Sequence, residues 1–164
     1  RLRNSSLSST QIRGTFIDQA IWIDMLVTDA LGVYFCPDAE RRSLLHSEVL
    51  TGPDSTFSGR IRLLETLLIL RFPDWQASHP DLVERLHKVR RFRNRLAHSQ
   101  LDTSDEFLAR GQLDRAQFLF YEAGQKKQQV VTLDELGERL RECTSILTVL
   151  VAFRDHIVAK NTTA

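Results

Sequence analysis

Apolar residues recur at helical spacing near the start of this chain, and that pattern limits the fold more than any other feature does. Phe16, Ala20, Ile23, Val27, Ala30 and Tyr34 fall on one stripe of a helix with about 3.6 residues per turn. Ile12, Ile17, Ile21, Leu26 and Leu31 widen the stripe until the helix is apolar over more than half its girth. Such a helix lies at the centre of a core or is shared with a partner subunit. Asp18, Asp24 and Asp29 interrupt it. Each either faces solvent or offers a carboxylate to a buried cation.

The remaining segments follow the same period. Ser9 or Thr10 caps the first helix, Cys36-Pro37-Asp38 ends it, and Asp38 caps a short helix through Leu45. After the turn residues Thr51 to Ser55, Ser55 or Thr56 opens a helix with Ile61, Leu64, Leu67 and Leu68 as its buried face and Pro73 as its stop. Arg60 and Arg62 are expected on its outer sides. Ser78 and Asp81 approximate a capping box for a helix from about Pro80 to His98. A helical turn is expected within Asp105 to Arg110. The period then changes. Phe118 to Glu122 and Gln128 to Thr132, separated by a Gly-containing turn at Gly124 to Lys127, read as a β-hairpin. Thr132 and Glu135 form a capping box for a last helix whose stripe is Leu136, Leu140, Cys143, Leu147, Leu150 and Ile157. The expected fold is therefore mainly α: a helical bundle with a small peripheral β-hairpin before the last helix. One domain spans residues 10–160, and the Ser-rich residues 1–9 form a disordered tail.

Within the helix that ends at His98, Leu82, Leu86, Val89, Arg93 and Leu96 share a narrow stripe, so Arg93 stands where an apolar side chain is expected. A guanidinium is rarely buried without a partner. A carboxylate, a partner chain or a phosphate has to meet it. Asn94 and His98, spaced i and i+4, are neighbours on the helix surface. His98 lies near the helix C-terminus, where the dipole favours positive charge. The formal net charge is only +1, yet Arg85, Lys88, Arg90, Arg91, Arg93 and Arg95 fall within eleven residues. A nucleic acid would be steered by that local patch rather than by the whole molecule.

The hexapeptide Arg93-Asn94-Arg95-Leu96-Ala97-His98 resembles the motif of the HEPN superfamily (higher eukaryotes and prokaryotes nucleotide-binding domains), in which an Arg, usually followed by a polar residue, precedes a His. The stretch Thr56 to Leu64 is similar to the mannitol-repressor-like branch of that superfamily. The resemblance implies a metal-independent endoribonuclease acting in a toxin or defence context, with Arg93, Asn94 and His98 catalytic and Arg90, Arg91 and Arg95 binding substrate. RNA is then the substrate, and cleavage proceeds by 2'-hydroxyl attack. A homodimer is implied as well, because its cleft supplies a second Arg and His pair. Isologous pairing also accounts for the wide apolar girth of the first helix. An antitoxin or regulatory protein is a further partner. HEPN toxins modified by nucleotidyltransferases usually carry a Tyr two residues after the His, where this chain has Gln100. The alternative is a non-catalytic, dimeric regulatory or interaction domain resembling mannitol repressor, with Arg93 bonded to a carboxylate.

Other function classes are disfavoured. There is no phosphate-binding glycine loop, zinc-ligand cluster or internal repeat, so neither a cofactor nor a metal is expected. His79 and His87 lack a companion at ligand spacing and read as surface residues. Cys36 and Cys143 are far apart and fit two free thiols in a reducing compartment. No signal peptide or membrane-spanning run is visible, so a cytoplasmic location with no membrane partner is expected.

Overall fold

A computed structural model describes residues 9–101, 115–122 and 125–162. Helix α1 (Ser9–Phe35) buries Phe16, Ala20, Ile23, Val27 and Ala30 of the expected stripe and Leu31 beside them, while Tyr34 is half-buried. Asp38 caps α2 (Ala39–Leu44) by accepting from the Arg41 amide at 2.8 Å. The chain then continues as a π-helical turn, Leu45–Leu50. Its wider ring closes where the Thr51 amide donates to the His46 carbonyl at 2.9 Å. Gly52 follows, so close to the Glu48 carbonyl that a Cβ would stand 2.8 Å from that oxygen. Helix α3 (Phe57–Arg71) is capped by Thr56, whose hydroxyl accepts from the Gly59 amide at 3.1 Å. Pro73 stops α3 and also opens the short α4 (Pro73–Ser78), since its fixed φ suits a first helical turn.

Helix α5 (Leu82–Ala97) buries Leu82, Leu86, Val89, Phe92 and Leu96. Strand β1 (Gln100–Leu101) pairs with β2 (Arg115–Glu122), and β2 pairs with β3 (Gln125–Thr132), both antiparallel, in the order β1-β2-β3. Helix α6 (Leu133–Thr162) starts at a reciprocal box in which the Thr132 amide donates to Glu135 and the Glu135 amide donates to the Thr132 hydroxyl, both at 3.1 Å. The helical bundle with a hairpin before the last helix is the fold expected from the sequence.

Helices α1 and α6 form the most extensive helix pairing. They run in the same direction: Arg154 lies 3.6 Å from Asp29, and farther along both helices Asn161 donates to the Val33 carbonyl at 3.0 Å. Helix α5 runs antiparallel to both. Its Phe92 meets Phe16 edge to face at 4.9 Å, and its Arg85 pairs with Glu142. Leu136, Cys143, Ile146, Leu150, Phe153 and Ile157 of α6 complete the core.

Several local expectations are corrected. Phe92, not Arg93, occupies the central stripe of α5, and Arg93 is half-buried at its flank. Arg60 is buried rather than on the outer side of α3, while Arg62 is exposed as expected. Ser78 and Asp81 form no capping box. The Ser78 hydroxyl instead donates to the Asp74 carbonyl at 2.9 Å, and Asp81 caps nothing with its side chain. The hairpin strands are longer than expected, with antiparallel pairing that runs from Arg115↔Thr132 to Glu122↔Gln125. The short β1 was not anticipated. The expected turn within 105–110 and most of the expected tail, residues 1–8, lie outside the described residues, and Ser9 already belongs to α1.

Candidate functional site

The site is built where α1, the first turn of α3 and α5 converge. With Leu86, Val89, Phe92 and Leu96 turned into the core, Arg90, Arg93 and Asn94 fall on the flank of α5 that looks toward α1 and α3. They line a pocket of about 340 Å³ together with Ala20, Ile21 and Asp24 of α1 and Thr56, Phe57 and Ser58.

Arg60 sets the geometry of this pocket. Its Nε and Nη2 reach Asp24 at 3.0, 2.6 and 2.8 Å, and its Nη1 donates to the Leu50 carbonyl at 2.6 Å and to the Ser55 carbonyl at 2.9 Å. One guanidinium thus ties α1, the end of the π-helical turn and the loop before α3 together. Each of Asp18, Asp24 and Asp29 is a candidate partner for Arg93 by sequence, and none of them takes that place. Asp24 serves Arg60, Asp29 meets Arg154, and Asp18 is exposed.

Arg93 therefore has no carboxylate within 4.0 Å among the described residues. Its Nη1 donates to Asn94 Oδ1 at 3.2 Å. Arg90 Nε is fully buried with no acceptor among the described residues. Since Asp24 is neutralised by Arg60, the charge facing the pocket is that of two guanidiniums. No family model, curated protein or solved structure matches this chain. What the pocket can do chemically rests on its own residues.

The other candidates lie around this centre rather than in it. His98 is exposed at the end of α5, its amide donating to the Asn94 carbonyl at 3.1 Å, and it does not line the pocket. Arg91 and Arg95 are exposed, and Arg95 lies over the Phe92 ring at 5.9 Å. Two members of the basic run are committed elsewhere: Arg85 binds Glu142 and donates to the Ser145 hydroxyl at 3.0 Å, and Lys88 pairs with Glu84 at 2.8 Å. Burial, followed by the charges of Arg90 and Arg91, lowers the His87 pKa, so its imidazole favours the neutral form.

Arg13 escaped the sequence reading. Its Nη2 donates to the Leu96 carbonyl at 2.6 Å and to the Ser99 carbonyl at 3.1 Å, satisfying the open end of α5 beside His98. A signal existed: Arg13 continues the stripe of Phe16 and Ala20 one turn earlier, a cation on an apolar face. No group of three His, Cys, Asp or Glu side chains that would hold a metal occurs among the described residues. Among them, too, no helix is long and apolar enough to cross a membrane. Beside the pocket, Ile21, Trp22 and Met25 expose a contiguous apolar strip of α1, with Trp22 58% exposed.

Proposed function

We propose that the chain is a metal-independent endoribonuclease of HEPN type that works as a homodimer in the cytoplasm, in a toxin or defence context. The observation that carries this reading is Arg93: a half-buried guanidinium in a pocket, free of any described carboxylate, beside a second one whose Nε has no described acceptor. A phosphate satisfies that arrangement, because the planar fork of Arg matches two phosphate oxygens.

In the reaction the 2'-oxygen of the ribose attacks the adjacent phosphorus, and the bond from phosphorus to the 5'-oxygen breaks. The products are a 2',3'-cyclic phosphate and a free 5'-hydroxyl. His98 accepts the 2'-hydroxyl proton or donates one to the leaving 5'-oxygen, and the other of these two roles falls to His98 of a second copy. Arg93 stabilises the charge on the pentacoordinate phosphorus. Asn94, which accepts from Arg93 through Oδ1, keeps its amide N–H groups for a phosphate oxygen. The apolar strip Ile21, Trp22 and Met25 adjoins the pocket and supports pairing of two copies there.

The test is cleavage of mixed single-stranded RNA and transfer RNA in chelator by wild type, Arg93→Ala and His98→Ala, with product ends analysed. Cleavage that survives chelation, leaves cyclic ends and disappears in both variants establishes the reaction. The position of His98 outside the pocket favours a second reading, a dimeric regulatory domain that binds a ligand or an antitoxin-like partner without cutting. A folded wild-type protein that cuts nothing leaves that reading in place.

A further inference from the structure

The Arg90 end of the pocket and His98 are too far apart to act on one phosphate. Arg90 precedes His98 by eight residues of sequence, which is about 12 Å along the helix axis and about 80° round it. Side chains on α5 also lean toward its N-terminus, which carries Arg90 farther from His98. Arg93 and Asn94 lie between them. The far end of the pocket has its own donors. Arg90 lines it as a cation and Ser58 as a hydroxyl. The amides of Phe57 and Ser58 stand in the first turn of α3, where the helix offers them no acceptor, whereas the Gly59 amide is already taken by Thr56. The volume of about 340 Å³ is at the lower end of small-ligand sites, which run from roughly 300 to 1,000 Å³. That is nucleotide-sized space rather than room for a bare ion.

We infer that Arg90, Ser58 and the first turn of α3 form an anchoring subsite for an RNA phosphate next to the one that is cut, with Arg93 shared between the two positions. This rests on the ribonuclease reading for the identity of the ligand, while the phosphate chemistry is the pocket's own. The anchored group is either a terminal 5'-phosphate or an internal phosphodiester. Two guanidiniums, a helix dipole and a hydroxyl serve both. Arg60 is a positioning residue for this subsite. By clamping Asp24 and the Ser55 carbonyl, it ties the start of α3 to α1 and offsets the one carboxylate among the described residues that line the pocket.

Isothermal titration of the full chain with inorganic phosphate, adenosine monophosphate and adenosine tests the subsite without requiring catalysis. Adenosine monophosphate is expected to bind at least tenfold more tightly than adenosine. Arg90→Gln and Ser58→Asp are each expected to weaken that binding about tenfold, whereas Arg71→Gln, which removes an equal charge from the end of α3 remote from the pocket, leaves it unchanged. Ser58→Asp is the informative variant. A carboxylate in the first turn complements the helix dipole, so the fold is retained while the anion is repelled. A deoxydinucleotide that cannot be cut, compared with and without a 5'-phosphate, separates the two sources: a gain from the terminal phosphate assigns the monoester, and equal affinity assigns the internal diester. Equal binding of adenosine and its monophosphate, or unchanged binding in both Arg90→Gln and Ser58→Asp, overturns the subsite. Phosphate binding without RNA cleavage removes the nuclease reading and leaves the subsite. Cleavage with phosphate binding indifferent to both variants does the reverse.

Discussion

Arg60 and Arg93 approach the same stretch of α1 from two neighbouring helices, and their surroundings are opposite. Arg60 is 8% exposed and donates to a carboxylate and two backbone carbonyls, so its charge and all three guanidinium nitrogens are accounted for. Arg93 is more exposed, yet the neighbour that accepts from it is the adjacent Asn94. Burial alone does not mark a functional arginine. What separates the two is the supply of acceptors: a saturated guanidinium holds a fold together, and an unsaturated one in a pocket is available to a ligand.

The sharpest way to break this comparison is to remove Arg60. Arg60→Met leaves Asp24 and the Leu50 and Ser55 carbonyls without their partner and is expected to cost about 3–5 kcal/mol, read as a lower urea midpoint. A loss below about 1 kcal/mol would mean that the clasp is dispensable. Arg93→Ala is expected to do the converse. Its stability should stay within about 0.5 kcal/mol of wild type, because no described ion pair is lost. RNA cleavage should fall about 10²–10³-fold, the usual cost of deleting one donor to a developing charge. A destabilised but active Arg93→Ala protein would reverse the assignment of the two residues. Trp22→Glu probes the neighbouring strip of α1. It is expected to shift the sedimentation mass from a dimer to the 18.9 kDa chain with no loss of thermal stability.

The smallest effect concerns the His87 ring, on which the charges of Arg90 and Arg91 act. Because the folded His87 pKa is lowered, its contribution to stability is fully present above the unfolded value, near 6.5, and is lost as the pH falls through the lower folded value. Wild type should therefore lose stability in mild acid, and His87→Gln should flatten that part of the curve. Because Arg90 contributes to the lowering, Arg90→Gln should raise the folded value toward the unfolded one and make the loss smaller. Urea midpoints measured from pH 7 down to 4 check both. An unchanged acid slope in His87→Gln would show that its ring is solvated in the native state.

Much of the fold was legible because its signals are local. The caps at Asp38, Thr56 and Thr132, the stripes of α1 and α6 and the hairpin all depend on residues within a few positions of one another. The errors also have local causes. Phe92 and Arg93 are adjacent, so about 100° of helical phase decides which one faces the core; a narrow stripe drawn through Leu82, Leu86 and Val89 runs through Arg93, whereas the buried face of α5 is turned toward Phe92. The π-helical turn shifts the chain by one residue before α3, an offset that apolar periodicity does not reveal.

The sequence by itself determined where the long helices and the hairpin lie, where most of them begin, and that six cations crowd into α5. Only the tertiary structure decided what those cations meet. Asp24 and Arg60 are 36 residues apart, and Arg13 reaches a carbonyl 83 residues away, so each partner is chosen by how helices cross and not by spacing along the chain. Competition completes the reason: three aspartates on α1 face many more arginines, and the fold gives Asp24 to Arg60 and leaves Arg93, beside a pocket, without a carboxylate among the described residues.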